Sequence, residues 1–391
     1  MTARDDELWH DGRMPERPPL DGLRVALDAR YVSRPGVGLG RYLFGIIPAL
    51  TQAGAHLTLL TNFDTAPYEH LFEDVEWCGF GYKTQTFWEQ VSVPRYLRKH
   101  DFDVHWLPST MGTPLFSVGK ALKVVTVHDL VQLRFPYEYF VRDPLFALPF
   151  SVWVVGALFR SDVILTVSKS SAHDIKRFSR RSATIIAPTL GENALTEPTP
   201  EENKDLPDGR YLIYNGGLEK RKCVPEMLAG VAEAFRELPD VRLVLMGSST
   251  GQLEPTLREL GIWERCILTG YISEGRKTAI LREAAGLLYL SKFEGYGLPL
   301  VEALAAGVPI LTNRNSSIPE VVDDAALFVE SLSPADIANG IRSLLSEPEQ
   351  TRLRDAGVRR YQRVAPELSA DALVTGVRAA LLARGFRGLP A

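Results

Sequence analysis

Short runs of apolar residues alternate with longer stretches of helical periodicity along most of the chain. In the first half the apolar runs are LRVALDA, HLTLLT, DVHWLP, KVVTVHDL and DVILTVS, and the helical patterns include LGRYLFGIIPAL and SSAHDIKRF. Continuous apolar strands that alternate with helices are typical of a parallel sheet covered on both faces. The pattern therefore predicts one α/β domain, of Rossmann-like type, over residues 22–187.

The alternation is interrupted once and then begins again. Residues 188–210, PTLGENALTEPTPEENKDLPDGR, are rich in proline, glutamate and asparagine without a sustained period, which indicates a linker. Further strands follow as YLIYNGG, VRLVLMG, CILTG, GLLYLS, VPILT and ALFVE. They predict a second Rossmann-like, doubly wound domain over residues 211–365, so that two domains would face each other across a cleft at the carboxyl ends of their strands.

The two ends and one apolar helix complete the expected organisation. Residues 1–21 are polar, lack the apolar core of a signal peptide and are expected to be a flexible arm. The tail, residues 366–391, is expected to be a helix that crosses back to the first domain and helps to brace the two. The run PLFALPFSVWVVGALF (144–159) is shorter than the roughly 20 residues of a membrane-spanning helix. Packing inside the protein is expected, and contact with a membrane surface stays open as the alternative.

Charge and cysteine content exclude several classes of function. With 44 basic and 48 acidic residues and no dense basic block, the chain has no electrostatic signature of nucleic-acid binding. Cys78, Cys223 and Cys266 are too widely spaced for a disulfide framework or a CxxC metal site, which favours a cytoplasmic protein. Asp101 and Asp103 form a D-x-D pair, but they start a strand on the side away from the expected cleft. We interpret them as structural, and a protein-held metal is not expected.

Two glycine-rich stretches have alternative interpretations. GSSTG (247–251) matches a serine-hydrolase elbow built on Ser249, but every histidine precedes it, so the expected order of catalytic residues is absent and a turn is favoured. GVGLGRY (36–42) follows the first strand and opens a helix, where backbone N–H groups can bind a phosphate. Arg41 stands where a dinucleotide fingerprint needs glycine. Gly38 and Gly40 therefore belong either to a loop that approaches a ligand or to a tight turn.

A cluster of cations follows the first strand of the second domain. NGGLEKRKC (215–223) places Lys220, Arg221 and Lys222 at the entrance of a helix, where the helix dipole is already positive. A bound anion, best a diphosphate, would offset this unfavourable placement, and a solvated basic turn is the alternative. On the first interpretation, removing the Lys222 charge would leave the unliganded protein no less stable.

Two glutamates flank the stretch EGYGLPLVEALAAGVP (294–309). Gly295 and Gly297 would let the backbone N–H groups here, including that of Leu298, approach a ligand closely. Glu294 is expected in the cleft, and Glu302, expected in the first turn of the following helix, offers two oxygens to a vicinal diol such as ribose. Helix-capping electrostatics is the simpler alternative for both.

This stretch resembles the E-x7-E signature of retaining, nucleotide-sugar-dependent glycosyltransferases of the GT-B fold, family 4. GVGLGRY, TVHDL, LTVSKSSAHDI, NGGLEKRK, GYISE and NSSIPEVV stand in the order typical of that family, so the resemblance covers nearly the whole chain. It implies transfer of mannose or another hexose from a nucleotide diphosphate sugar to a hydroxyl of a glycan, glycolipid or small molecule. It also implies retention at the anomeric carbon and no metal requirement. A position at the inner face of a membrane stays open.

The resemblance also implies roles for individual residues. Glu302 would bind the ribose hydroxyls, Glu294 the hydroxyls of the donor hexose, and Arg221 with Lys222 the diphosphate. The family usually has asparagine or glycine where this chain has Cys223. This departure affects the expected backbone turn more than the roles of Arg221 and Lys222.

Three further residues take roles by the same resemblance. Gly38 and Gly40 would approach the donor phosphates from the first domain, and His128 would face the reacting sugar carbon and the acceptor. The leaving phosphate itself would accept the acceptor's proton, so no enzyme nucleophile is assigned. A phosphorylase or sugar-nucleotide epimerase on the same fold, and a two-domain sugar-binding protein, are the alternatives.

Overall fold

The computed structural model describes residues 17–33, 38–112, 118–136, 144–190 and 195–390. Most of the predicted N-terminal arm, Gly36 and Val37 of GVGLGRY, and residues 191–194 of the predicted linker lie outside these ranges. The chain divides into two compact units. The first comprises Met1–Val125, Arg160–Val163 and Ala370–Ala391, and the second comprises Thr126–Phe159 and Ile164–Ser369.

The first sheet has seven strands, all but two of which the apolar runs predict. The strands are β1 (Arg24–Asp28), β2 (His56–Thr61), β3 (Val75–Gly79), β4 (Val104–Leu107), β5 (Leu122–Val127), β6 (Val163–Thr166) and β7 (Thr184–Ile185). Their order is β3-β2-β1-β4-β5-β6-β7, and β1 pairs in parallel with both β2 and β4. Strands β4 and β6 are buried throughout, as expected for a sheet covered on both faces.

The second sheet has six strands, and each corresponds to one of the predicted runs. They are β8 (Arg210–Asn215), β9 (Val241–Met246), β10 (Cys266–Gly270), β11 (Gly286–Tyr289), β12 (Ile310–Thr312) and β13 (Leu327–Phe328). They pair in parallel in the order β10-β9-β8-β11-β12-β13. The described part of the 188–210 stretch contains no helix or strand before β8 begins at Arg210.

Helices follow most of these strands. In the first part of the chain they are α1 (Gly38–Gln52), α2 (Gln85–Phe87), α3 (Val93–Leu97), α4 (Val131–Arg134), α5 (Pro144–Arg160) and α6 (Lys169–Ser179). In the second they are α7 (Val224–Phe235), α8 (Glu254–Glu259), α9 (Glu274–Glu283), α10 (Leu298–Ala305), α11 (Ile318–Val322), α12 (Pro334–Leu344), α13 (Glu347–Val364) and α14 (Ala370–Ala383). A π-helical turn, Trp88–Ser92, joins α2 to α3. Short 3-10 turns cover Arg30–Ser33, Glu69–Leu71, Lys220–Lys222, Thr250–Leu253, Trp263–Arg265 and Ala365–Leu368.

The sequence pattern misses two strands of the first sheet for a physical reason. Strand β3 (VEWCG) lies at the sheet edge and is only partly buried, so its apolar residues do not form a continuous run. Strand β7 lies at the other edge and has only two residues. Edge strands do not need two apolar faces, and periodicity detects them poorly.

Each sheet has one point at which the strand order reverses. In the first sheet it lies between β1 and β4, and in the second between β8 and β11. The loops that follow two such strands diverge to opposite sides of the sheet and leave a crevice at their carboxyl ends, where ligands of open α/β sheets bind. Each switch point carries a buried cluster of charged side chains.

The C-terminal helix belongs to the first unit. In that unit α14 packs against α1, and Leu373, Val377 and Leu381 of α14 are buried. Along α5, Val154, Ala157 and Leu158 are buried, whereas Val152, Val155 and Phe159 are exposed. No helix among the described residues is long and apolar enough to cross a membrane.

Candidate active site

The turn after β8 presents the basic residues of the NGGLEKRKC stretch. Lys220–Lys222 form one turn of 3-10 helix, and Cys223 then takes up a left-handed backbone conformation (φ 49°, ψ 34°) before α7 begins at Val224. Glycine and asparagine adopt that conformation most easily. The Cys223 thiol is buried and lies 3.4 Å from the Arg221 carbonyl oxygen, so the left-handed turn forms here with a cysteine.

Two of the cations share one carboxylate. Nη1 of Arg221 lies 3.0 Å from Oε2 of Glu294, and Nζ of Lys222 lies 2.8 Å from Oε1. We call these three residues the Glu294 cluster. Side-chain exposure is 22% for Arg221, 10% for Lys222 and 7% for Glu294, so the guanidinium is the most accessible member. The cluster joins the loop after β8 to the loop after β11, at the switch point of the second sheet.

Burial and charge pairing oppose each other within this cluster. Burial alone would raise the pKa of Glu294, but attraction to Lys222 and Arg221 outweighs it and lowers that pKa below its usual value. Burial lowers the pKa of Lys222, and attraction to Glu294 compensates only in part. Nζ of Lys222 also donates to the hydroxyl of the buried Tyr289 at 3.1 Å. Burial, followed by the charge of Glu294, holds the pKa of Tyr289 well above its usual range.

The position of Lys222 corrects the expectation about its effect on stability. The sequence favours an external anion as the partner of a cation near a helix start, but Glu294 is an internal one. Removing Lys222 would leave Glu294, which is nearly fully buried, with one cation fewer. A loss of stability is therefore expected for Lys222→Ala, because a buried charge that loses a partner is costly.

The backbone of the Glu294 loop is anchored by two serines that precede α11. The Glu294 N–H donates to Oγ of Ser316 at 2.7 Å, and Oγ of Ser317 donates to the carbonyl oxygens of Glu294 and Tyr296 at 3.1 and 2.9 Å. Ser317 is fully buried. The NSSIPEVV stretch therefore fixes the loop that carries Glu294, a function that the sequence alone did not assign to it.

Both glycines of the loop are required by the backbone. A Cβ on Gly295 would lie 2.7 Å from the carbonyl oxygen of His128, and Gly297 has φ +107°, a conformation that side chains rarely allow. Helix α10 begins directly afterwards with Leu298, which is half-buried. Within the second unit the backbone of His128 therefore lies against the Glu294 loop. The His128 carbonyl also accepts a hydrogen bond of 2.8 Å from Oγ of Ser171.

Glu302 lies in the second turn of α10 rather than in the first, because the helix begins at Leu298. Its side chain is fully buried. Oε1 of Glu302 lies 3.0 Å from Nζ of Lys277, and Oε2 accepts a hydrogen bond of 3.3 Å from Nδ2 of Asn215. Glu294 and Glu302 thus have different partners at the same end of the sheet, and neither caps the helix.

The remaining sequence candidates lie elsewhere. Gly38 and Gly40 are in the first turn of α1, which belongs to the first unit, and their role toward donor phosphates stays a prediction.

Asp103 accepts a hydrogen bond of 2.9 Å from the backbone N–H of Arg24, which accounts for one carboxylate of the D-x-D pair. In the described part of the chain, His, Cys, Asp and Glu side chains form no group of three suited to a metal ion. GSSTG forms the predicted turn, in which Oγ1 of Thr250 donates to the Gly247 carbonyl at 2.8 Å.

The first sheet carries its own charged cluster, which the sequence did not indicate. Arg30 binds Asp28 through Nη2 at 2.7 Å and Glu89 through Nη1 at 2.6 Å, and its guanidinium lies 4.6 Å from the centre of the Trp88 ring. We call Asp28, Arg30 and Glu89 the Arg30 cluster. A Cβ on Gly112 would lie 2.7 Å from Nη2 of Arg30, so the chain closes tightly over the cluster. All three side chains are buried to 8% exposure or less.

Two parallel Rossmann-like sheets of this kind are the fold of GT-B glycosyltransferases. The sequence matches known families over most of its length: residues 37–188 match the model of glycosyltransferase family 4, and residues 197–360 match glycosyl transferases group 1. The two matches together identify the chain as a GT-B glycosyltransferase.

Curated relatives are glycosyltransferases as well. A D-inositol 3-phosphate glycosyltransferase of Segniliparus rotundus is 30% identical over 184 residues, which cover 45% of this chain and 41% of that protein. The match thus spans less than half of that relative's length. An MMP alpha-(1->4)-mannosyltransferase of Mycolicibacterium hassiacum is 28% identical over 302 residues, with 73% of this chain and 72% of the relative covered.

Solved structures show the same fold at low sequence identity. HepE of Anabaena, solved in complex with UDP and glucose, has a TM-score of 0.72 at 14% identity, with 92% of this chain and all of that chain covered. Sucrose-phosphate synthase of Thermosynechococcus elongatus has a TM-score of 0.70 at 18% identity, with 93% and 98% covered. At this identity the similarity establishes the fold alone.

Proposed function

We propose that the protein transfers a hexose from a nucleotide diphosphate sugar to an acceptor hydroxyl, with retention of configuration at the anomeric carbon. The observation that carries the proposal is the Glu294 cluster, in which two cations share one carboxylate at the switch point of the second sheet. One positive charge in the cluster exceeds what its own carboxylate balances. A diphosphate is the ligand that such an excess favours.

The diphosphate is assigned to Arg221 and Lys222. As the bond between the sugar and the phosphate breaks, negative charge grows on the leaving diphosphate, and fixed cations in a buried site stabilise that charge most effectively. Backbone N–H groups at the start of α10, near Gly297 and Leu298, add partial positive charge at the same place. Because protein cations supply this stabilisation, no metal ion is required in the proposed reaction.

EDTA is expected to leave turnover essentially unchanged. A loss of turnover that magnesium or manganese restores would contradict the metal-free reaction.

The hexose and the ribose of the donor are assigned to Glu294 and Glu302, respectively. Oε1 of Glu294 lies 2.8 Å from the Lys222 ammonium, and a carboxylate oxygen can accept from more than one donor. It therefore keeps acceptor capacity for a hydroxyl of the donor hexose. Lys277 approaches Oε1 of Glu302 and Asn215 donates to Oε2, and this fixed carboxylate is assigned to the ribose diol.

The chemical step needs no nucleophile from the protein. The acceptor oxygen forms its bond to the anomeric carbon on the face from which the phosphate leaves, and its proton passes to the leaving phosphate oxygen. His128, whose backbone borders the Glu294 loop, is assigned to the side of the reacting carbon and the acceptor. The first domain is assigned to the acceptor, which is a glycan, a glycolipid or a small molecule.

The names of one relative and one structural neighbour guide the choice of donors to test. HepE is solved with UDP and glucose, and the Mycolicibacterium relative is named a mannosyltransferase. A mannosyl or glucosyl donor is therefore the first choice for an assay.

The decisive experiment incubates the protein with labelled nucleotide sugars carrying UDP, GDP, ADP or dTDP and candidate acceptors. We expect label on the acceptor, release of a nucleoside diphosphate, and an anomeric configuration in the product that equals that of the donor by NMR. Release of a sugar 1-phosphate, or epimerisation without transfer, would contradict the proposed activity. Inversion at the anomeric carbon would contradict retention alone.

A further inference from the structure

Lys277 is a buried lysine that the sequence motifs do not include. It lies in α9, and its side chain extends to α10, where Nζ is 3.0 Å from Oε1 of Glu302. Nζ also binds the carboxylate of Glu274 on its own helix. Lys277 is 8% exposed and Glu302 is fully buried, so this ion pair is shielded from water.

A buried carboxylate needs partners, and Glu302 has partners on two separate elements. Lys277 binds Oε1 from α9, and Asn215 binds Oε2 from the end of β8. Holding both oxygens fixes the plane of the carboxylate as well as its charge. A vicinal diol requires two acceptors at a set spacing, which a freely rotating carboxylate would not maintain.

We propose that Lys277 is a positioning residue for the ribose of the donor nucleotide. It holds the Glu302 carboxylate in the orientation that accepts the two ribose hydroxyls and does not itself contact the donor. The inference rests on the proposed function, because a ribose reaches this site only as part of a nucleotide. A purely structural lysine, which ties α9 to α10, is the competing explanation.

The two explanations differ in how the protein distinguishes ribose from deoxyribose. Calorimetry with a nucleoside diphosphate and its 2′-deoxy analogue gives the ratio of the two dissociation constants. We expect the wild type to prefer the ribonucleotide by roughly 10- to 100-fold, as for charge-assisted hydrogen bonds. In Lys277→Met the ratio is expected to fall below about threefold, and Lys277→Arg is expected to restore most of it. An unchanged ratio in Lys277→Met would overturn the proposal.

Two controls separate positioning from general damage to the site. Inorganic pyrophosphate has no ribose, so its affinity is expected to be the same in Lys277→Met and in the wild type. Glu274→Gln leaves the Lys277–Glu302 pair in place and is expected to keep the ribose preference. Equal losses of pyrophosphate and nucleotide affinity in Lys277→Met would indicate a structural role and overturn the proposal.

Lys277→Met leaves a buried carboxylate without its cation, which can prevent folding. The double variant Lys277→Met/Glu302→Gln removes both charges, so no buried carboxylate is left unpaired and the role of Lys277 can still be measured. If Lys277 acts only through Glu302, the double variant will bind the ribonucleotide no more weakly than Glu302→Gln alone. A further tenfold loss would show an independent contact and contradict the proposal.

The same measurements distinguish failure of this inference from failure of the proposed function. A wild type that binds none of UDP, GDP, ADP and dTDP would remove the proposed function and the inference together. Tightest binding of dTDP, whose sugar lacks the 2′-hydroxyl, would overturn the inference and leave sugar transfer intact.

Discussion

The two sheets share the strand order around their switch points but use opposite charge ratios there. After β8 and β11, two cations share one carboxylate in the Glu294 cluster; after β1, two carboxyl groups share one guanidinium in the Arg30 cluster. The first arrangement has a surplus of positive charge and the second does not. Only the first is suited to an anion that gains charge during a reaction.

The clusters also differ in how closed they are. In the Arg30 cluster the guanidinium is 8% exposed and Gly112 packs directly over it, whereas Arg221 is 22% exposed. Burial raises the pKa of Glu89 despite the attraction of Arg30, whereas the cations of the other cluster lower the pKa of Glu294. We infer that the Arg30 cluster mainly stabilises its domain and that the Glu294 cluster mainly serves the ligand.

The largest expected effect is on the stability of the first domain. Arg30→Met would leave two buried carboxyl groups without their cation, and the free energy of unfolding is expected to fall by about 3–5 kcal/mol. Chemical denaturation monitored by circular dichroism measures this. Arg24→Met is the matched control, because Arg24 pairs with Asp103 at an exposed surface and should cost about 1 kcal/mol or less. Equal, small losses of unfolding free energy in both variants would contradict the inference that the buried Arg30 cluster stabilises its domain more than the exposed Arg24–Asp103 pair does.

The next effect is on the transfer rate. Lys222→Met is expected to lower kcat by roughly 100- to 1000-fold, because a fixed cation no longer opposes the charge on the departing diphosphate. The rate is measured per folded protein, since some stability is lost as well. Lys220→Met, an exposed lysine of the same 3-10 turn, should change the rate by less than about twofold. Similar rates in the two variants would show that the surplus charge does not serve the reaction.

A pH dependence is expected from His105 in β4, next to the Arg30 cluster. Burial lowers the pKa of His105 from 6.5 to about 4. Between these two values the unfolded chain binds a proton that the folded protein does not, so stability falls as the pH drops from 6.5 towards 4, by up to about 3 kcal/mol. Denaturation curves at pH 7 and pH 5 should show a smaller difference in His105→Gln than in the wild type. An equal difference would assign the pH dependence to other groups.

The smallest effect concerns Glu302, the residue proposed to bind the ribose. Glu302→Gln replaces a charged acceptor with a weaker, neutral one, and nucleotide affinity is expected to fall about tenfold. Calorimetry measures it, with Glu320→Gln, a carboxylate that binds the backbone of α6, as the control with unchanged affinity. Equal binding by wild type and Glu302→Gln would contradict the ribose assignment.

Continuous buried strands were predictable from sequence, and the pairing of side chains was not. The apolar runs predict β8, β9, β11 and β12 because these strands are buried along most of their length, whereas the partly exposed β3 leaves no such signal. The edge strands β10 and β13 are only partly buried, but their runs are apolar enough to be recognised. The sequence singles out the glycines at 295 and 297 as positions where the backbone can approach a ligand; in the structure Gly295 lies against the His128 carbonyl and Gly297 has a positive φ.

The partners of Glu302 and of Lys222 escaped prediction for one reason. Asn215 and Lys277 lie 87 and 25 residues from Glu302 along the chain, and Tyr289 lies 67 residues from Lys222. A single sequence contains no signal for such contacts, since many polar residues along the chain are equal candidates for the partner of a given side chain. For the same reason the three cations looked solvated or in need of an external anion, although Glu294 already bound two of them.

The most direct measurement compares a nucleoside diphosphate with the corresponding monophosphate by calorimetry, using whichever of UDP, GDP, ADP and dTDP binds the wild type. We expect the wild type to bind the diphosphate at least about tenfold more tightly, because its second phosphate meets Arg221 and Lys222. In Arg221→Met/Lys222→Met this preference should disappear while the monophosphate still binds. A double variant that keeps the full preference for the diphosphate would contradict the assignment of the Glu294 cluster to the donor.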